Sequence, residues 1–133
     1  MPTDPGGPDA IDDLLAVQPA GIPSLIVVGL ESSPHALREY SPPGTMDGAC
    51  ADATVRLLAE VVKPLVERRY STRADPASTC VLGIGAGALL AVYAAWTRPD
   101  VFGGCIALEL PDLAPAALPP APVPGARRPR LWI

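Results

Sequence analysis

The chain has 133 residues, of which 18 are proline and 12 are glycine, while 49% are hydrophobic and the net charge is −4. This length allows one domain with one core. The acidic balance excludes the clustered basic surface of a nucleic-acid-binding protein, and no apolar run approaches the roughly 20 residues of a membrane span. We therefore expect no nucleic-acid partner and no membrane contact.

The cysteine and histidine content argues against a metal site. Cys50, Cys80 and Cys105 are widely spaced, and the single histidine, His35, cannot complete a metal-binding pattern with them. We interpret the cysteines as reduced thiols of a cytoplasmic protein. Cys80 and Cys105 fall within predicted strands, so we expect both to be buried. We expect neither a metal nor a cofactor.

The pattern of residues 1–48 predicts a short helix, a strand and a loop. Residues 1–8 are predicted to form a flexible leader. An acidic first turn and the spacing of the apolar residues predict a short helix over residues 9–17. Residues 24–30 form a mainly apolar run with β-branched residues at 26–28, which is typical of a strand buried on both faces of a parallel sheet. Turn residues throughout 31–48 predict a loop.

The pattern from residue 49 onward predicts a regular alternation of helices and strands. Apolar spacing indicates a helix over residues 49–69, with a kink at Pro64 because proline cannot donate a helical hydrogen bond. The elements that follow are a strand at 79–84, a helix at 86–97, a strand at 104–110, a Pro/Ala-rich loop at 111–129 and a strand at 130–133. This order predicts an α/β fold: a short, mainly parallel sheet of three to four strands with helices on both faces.

The glycine turn after the strand at 79–84 has three interpretations. Gly83, Gly85 and Gly87 fit the G-x-S-x-G nucleophile elbow of α/β-hydrolases, but Gly85 stands where the serine belongs. Gly83, Gly85 and Ala88 also fit G-x-G-x-x-G/A, a dinucleotide-binding motif, for which Glu109 could accept a ribose hydroxyl. In the third interpretation, the small residues only allow close packing of a helix on a strand.

Further stretches carry a family resemblance. They are residues 22–30, 38–42, 48–52, 60–66, 82–93, 98–103 and 129–133, together with Tyr70. In these stretches the chain resembles the family described as Putative esterase, α/β-hydrolases that include enterochelin-esterase-like and S-formylglutathione-hydrolase-like enzymes. The resemblance implies a partial α/β-hydrolase domain over residues 9–133.

The same resemblance implies that the chain lacks the family's chemistry. The hydrolase order is nucleophile, acid and then histidine, but Gly85 replaces the serine and His35 precedes the elbow. The N–H of Ala86 would remain as an oxyanion-type donor. We expect a relative shortened at both ends, with a strand missing beside the strand at 79–84. A homodimer or a partner chain would then cover the exposed strand edges.

Three functional hypotheses remain open. The first is a catalytically inactive esterase homologue with a residual binding or interaction role, for which His35, Glu109 and Asp112 are the candidate binding residues. The second is a carboxylic-ester hydrolase that acts through displaced residues or is completed by another polypeptide. The third is a small dinucleotide-binding module.

Overall fold

The computed structural model describes residues 23–112 and 128–133. The leader and helix predicted over residues 1–17, and most of the Pro/Ala-rich loop, lie outside the described residues. Contacts divide the chain into two units, residues 1–31 and 32–133, and the fold below is that of the second unit. The single domain predicted over residues 9–133 stays a prediction.

The second unit contains a parallel sheet. Its strands are β1 (Cys80–Ile84), β2 (Gly104–Leu108) and β3 (Arg130–Trp132), in the order β1-β2-β3. Cys80 pairs with Gly104, and Gly104 pairs in turn with Arg130. The predicted parallel α/β architecture is therefore confirmed. Glycine and proline residues in the sequence lie near the ends of these three strands.

Of the four α-helices in the described residues of this unit, α4 (Ala86–Thr97) packs on the sheet. The other three are α1 (Ala36–Tyr40), α2 (Ala51–Leu57) and α3 (Lys63–Arg69). Helix α4 has the predicted bounds and contacts both β1 and β2, while α1 and α2 contact α4. The core is made mainly of small side chains: Ala51, Val55, Ala59, Ala88, Leu90, Ala91, Val92, Ala94, Ala95, Phe102, Cys105 and Ala107.

A π-helical turn lies just before Pro64, where the sequence predicts a kink. The turn covers Leu58–Val62 and joins α2 to α3, and the N–H of Lys63 donates to the carbonyl of Leu58, five residues earlier. Proline has no N–H and its ring crowds the preceding turn, and a π turn widens the backbone at that point. The long predicted helix thus continues from Ala51 to Arg69 as α2, the π-helical turn and α3, and the kink stays a prediction.

Two local predictions in residues 24–48 are wrong. Residues 24–30 form no strand and are exposed throughout, because β-branched composition supplies only a tendency and a strand also needs a hydrogen-bonded neighbour. The predicted loop contains α1, since Ala36–Tyr40 includes several strong helix formers. The hydroxyl of Ser41 closes this helix by donating to the carbonyl of Leu37 at 2.6 Å.

The two faces of the sheet have opposite environments. Cys105 and Ala107 lie on the face that α4 covers and are buried. The opposite face, which we call the open face, carries Leu82, Ile84 and Trp132, which are 61%, 59% and 52% exposed. Within the described residues only one face is covered, and the second helical layer stays a prediction.

Two cysteines, Cys105 and Cys80, differ in burial in the same way as the two faces of the sheet. Cys105 is buried as predicted, but the prediction for Cys80 is wrong, because Cys80 starts an edge strand and is exposed. Burial raises the pKa of the Cys105 thiol to about 11, with a smaller contribution from the nearby Cys80. Partial burial still raises the pKa of the Cys80 thiol, against a smaller opposing contribution from a backbone hydrogen bond with Ile106.

Candidate functional site

The glycine turn between β1 and α4 has the sharp geometry of an elbow. Gly85 joins the two elements with φ of 59° and ψ of −121°. Its N–H donates to the carbonyl of Leu108 at 3.0 Å, and its carbonyl accepts from the N–H of Ala88 at 3.0 Å. An L-residue rarely adopts this backbone conformation, whereas glycine adopts it without steric cost. The turn is therefore fixed on both sides by backbone hydrogen bonds.

The three glycines of the motif have different structural roles. A Cβ atom on Gly83 would lie 2.0 Å from the carbonyl oxygen of Gly87, so the close approach of β1 to α4 requires glycine there. A Cβ atom on Gly85 or on Gly87 would meet nothing within 4 Å. The packing interpretation thus explains Gly83, while Gly85 is required only by its backbone conformation.

The elbow offers a donor but no nucleophile. Gly85 has no side chain that could attack a carbonyl group, so covalent catalysis at this position is excluded. Ala86 begins α4, and the first N–H groups of a helix have no carbonyl partner within it. Ala86, whose N–H is the predicted oxyanion-type donor, thus lies directly after Gly85 at the start of α4.

Glu109 is the predicted binding residue that the fold brings to the elbow. It follows β2 directly, and Leu108 before it pairs with Ile84 and accepts the Gly85 hydrogen bond. Glu109 has a φ of 52°, which is uncommon for a residue other than glycine, and its side chain is exposed. Such conformations concentrate at functional sites. Glu109 and Gly85 therefore share the carboxyl edge of the sheet.

The other two predicted binding residues are less closely tied to the elbow. Asp112 is exposed, three residues beyond Glu109. His35 is exposed as the residue before α1, and its own N–H donates to the hydroxyl of Ser33 at 3.0 Å. None of the hydrogen bonds found among the described residues joins His35 to Glu109 or to the elbow.

Two arrangements of charged residues were not predicted from the sequence. Arg98, which follows α4, forms a forked pair with Asp100 and lies 3.7 Å from Glu60. The hydrogen bond from Arg98 lowers the pKa of Asp100, and the same bond raises the pKa of Arg98. This pair stabilises the turn into β2 and is remote from the elbow in sequence. The short spacing R-P-D was its only sequence signal.

The second arrangement is a shallow cavity of about 220 Å³ at the amino ends of β2 and β3. Ala77, Gly103, Arg128 and Arg130 line it. Because it lies at the end of the sheet opposite the elbow, it contributes nothing to the elbow chemistry. Arg130 begins β3 as predicted, but no pattern in the sequence indicates that Arg128 and Arg130 line a cavity.

In residues 23–112 and 128–133, no group of three His, Cys, Asp or Glu side chains could hold a metal ion. No helix in these ranges has both the length and the apolar character to cross a membrane.

Comparison with known proteins identifies one family. The family model described as Putative esterase matches residues 12–117, which is more than half of the chain. No curated protein and no solved structure matches the chain significantly. The matched range includes β1, the elbow, α4 and β2, which are the elements that shape the site described above. The chain therefore belongs to the Putative esterase family.

Proposed function

We propose that this chain is an esterase-family domain that performs no covalent catalysis at its elbow and retains a binding role at the carboxyl edge of its sheet. The observation that carries the proposal is Gly85, which has the turn geometry of a nucleophile position but no nucleophilic atom. Because the missing group is the attacking atom itself, surrounding donors cannot compensate for it.

The binding role is supported by the groups that remain at this edge. The N–H of Ala86 is suited to an acceptor such as an ester carbonyl, because it lies at the positive end of a twelve-residue helix. Glu109 is exposed at the same edge of the sheet, and none of the hydrogen bonds or ion pairs found among the described residues engages its carboxylate. In open α/β sheets, ligands bind outside the carboxyl ends of the strands. The favoured ligand is a neutral ester or a related carbonyl compound.

The absence of covalent catalysis is tested with a fluorophosphonate probe and with p-nitrophenyl acetate. The purified chain should show neither labelling nor turnover above an unfolded control. Gly85→Ser supplies a hydroxyl in open space, at a strain of about 1–3 kcal/mol from the positive φ. We expect no turnover from this variant either, since the single histidine, His35, is exposed and no hydrogen bond found among the described residues joins it to the elbow.

The binding role is tested separately by amide NMR. Addition of p-nitrophenyl acetate should shift the signals of Ala86 and Glu109 saturably, while the signal of Gly104, at the other end of β2, stays unchanged. Equal shifts at all three amides, or no shift up to millimolar ester, would contradict the binding role.

Family membership supports one second candidate, a carboxylic-ester hydrolase that acts through displaced residues or is completed by another polypeptide. Stoichiometric labelling of the wild-type chain by the fluorophosphonate would favour this candidate over the first. The dinucleotide-binding hypothesis stays a prediction, and a thermal shift with NAD or FAD tests it.

A further inference from the structure

One edge of the sheet has unpaired backbone groups. β1 is the outer strand in the order β1-β2-β3. The N–H of Gly85 and the carbonyl of Thr79 both point toward β2, since they bond to Leu108 and Gly103. Backbone groups alternate in direction along a strand, so those of Cys80, Leu82 and Ile84 point away from β2. No strand of the described residues pairs with them.

This edge lacks the features that usually prevent strand pairing. Natural edge strands carry lysine, proline, a bulge or an inward-pointing charge. β1 has the sequence Cys-Val-Leu-Gly-Ile, with no charge and no proline, and its pairing with β2 is regular over all five residues. Leu82 and Ile84 add exposed apolar side chains directly beside the free backbone groups. A second strand at this edge would meet no electrostatic repulsion.

We propose that β1 is a dimerisation edge, which pairs antiparallel with β1 of a second copy of this chain about a two-fold axis at Leu82. In this register Leu82 lies opposite Leu82 of the second copy, and Cys80 lies opposite Ile84. The three outward-pointing residues of each copy then exchange their N–H and carbonyl groups. Because the edge is uncharged, the same surface serves both copies, as a two-fold interface requires. The inference concerns the edge and is independent of the elbow chemistry.

The interface is small, which sets its expected strength. Pairing of two five-residue strands buries less than the roughly 800 Å² per partner of a standard interface. Interfaces below this size are weak, so we expect a dimer that dissociates on dilution in the micromolar range. The dimer joins two sheets of order β1-β2-β3 into one continuous sheet, with the open faces side by side.

Light scattering after size exclusion tests the proposal on the full 133-residue chain. The dimer fraction should rise between about 5 and about 200 µM, the range that suits a weak interface. Leu82→Lys places two ammonium groups on either side of the two-fold axis and should weaken the dimer at least about tenfold, by like-charge repulsion across a strand pair. Leu108→Lys is the matched control, because Leu108 is an exposed residue on the same face but lies in the central strand.

Disulfide trapping gives a second measurement that does not depend on the lysine variant folding. Directly opposed residues in an antiparallel pair have Cα atoms about 5.5 Å apart, within the range of a disulfide. In a Cys80→Ser background, Leu82→Cys should therefore form a covalent dimer on mild oxidation, and Leu108→Cys should not. A monomer at every concentration would overturn the proposal. Equal weakening by the two lysine variants, or equal trapping at the two positions, would also overturn it.

Discussion

The two faces of the described sheet differ in what covers them, although neighbouring residues of the same strands form both. On the covered face, small residues allow α4 to approach the strands closely: Gly83, Cys105 and Ala107. On the open face, the alternate positions carry larger apolar side chains that stay exposed, such as Leu82 and Ile84. At these positions the small residues lie where α4 approaches the strands, whereas hydrophobicity alone does not separate the two faces.

The largest expected effect comes from the strand–helix contact of the covered face. Gly83→Ala would bring a Cβ atom to 2.0 Å from the Gly87 carbonyl oxygen, so we expect the free energy of unfolding to fall by about 3 kcal/mol or more. Gly87→Ala is the control on the other side of the same contact. Its Cβ would meet nothing, and alanine in a helix should stabilise by about 0.5–1 kcal/mol. Urea unfolding measures both variants, and similar losses for the two would contradict the described packing.

A smaller effect on the free energy of unfolding is expected from Cys105 and Cys80, which lie on opposite faces of the sheet. Cys105→Ser places a hydroxyl among apolar residues and should cost about 1–3 kcal/mol of unfolding free energy. Cys80→Ser changes an exposed side chain and should stay within about 0.5 kcal/mol of the wild type. Urea unfolding again measures the difference. If Cys80→Ser were the more harmful change, the open face would have to be covered in solution.

The pH dependence that Cys105 contributes to stability is confined to alkaline conditions and is absent near neutral pH. Its pKa is about 11 in the folded chain against an ordinary value of 9.0, so the unfolded chain loses the thiol proton first. Stability is therefore retained below pH 9 and declines as the pH rises from about 9 to about 11. The midpoint of thermal unfolding should fall over this range. Cys105→Ala removes this part of the decline, and an identical pH profile in that variant would refute the assignment.

Glycine and proline residues at the ends of elements made much of the fold predictable. Glycines and prolines mark the ends of β1, α4 and β2, and the apolar runs between them have lengths that fit one kind of element. The run at residues 24–30 shows the limit of this reasoning, because its composition favours a strand but cannot supply the neighbour that a strand needs. Cys80 shows the same limit for burial, since its position in a strand does not specify which face a helix covers.

The candidate site was predictable in its residues but not in its geometry. The motif offered Gly85 as a candidate for the nucleophile position, with two other interpretations open, and Glu109 was singled out by its place after a strand. The positive φ of both residues, and the hydrogen bond from Gly85 to Leu108 that brings them to one edge, depend on the pairing of β1 with β2. Such pairing joins residues more than twenty positions apart, which periodicity within one element cannot specify.

The sequence by itself determined the fold class and the family, because these depend on residue identity and short spacing. The tertiary structure alone decided which glycine is required by packing, which cysteine is buried, and which edge and face of the sheet stay open. The physical reason is that burial and backbone pairing are properties of two elements in contact. The same strand residue is therefore buried or exposed according to what lies against it.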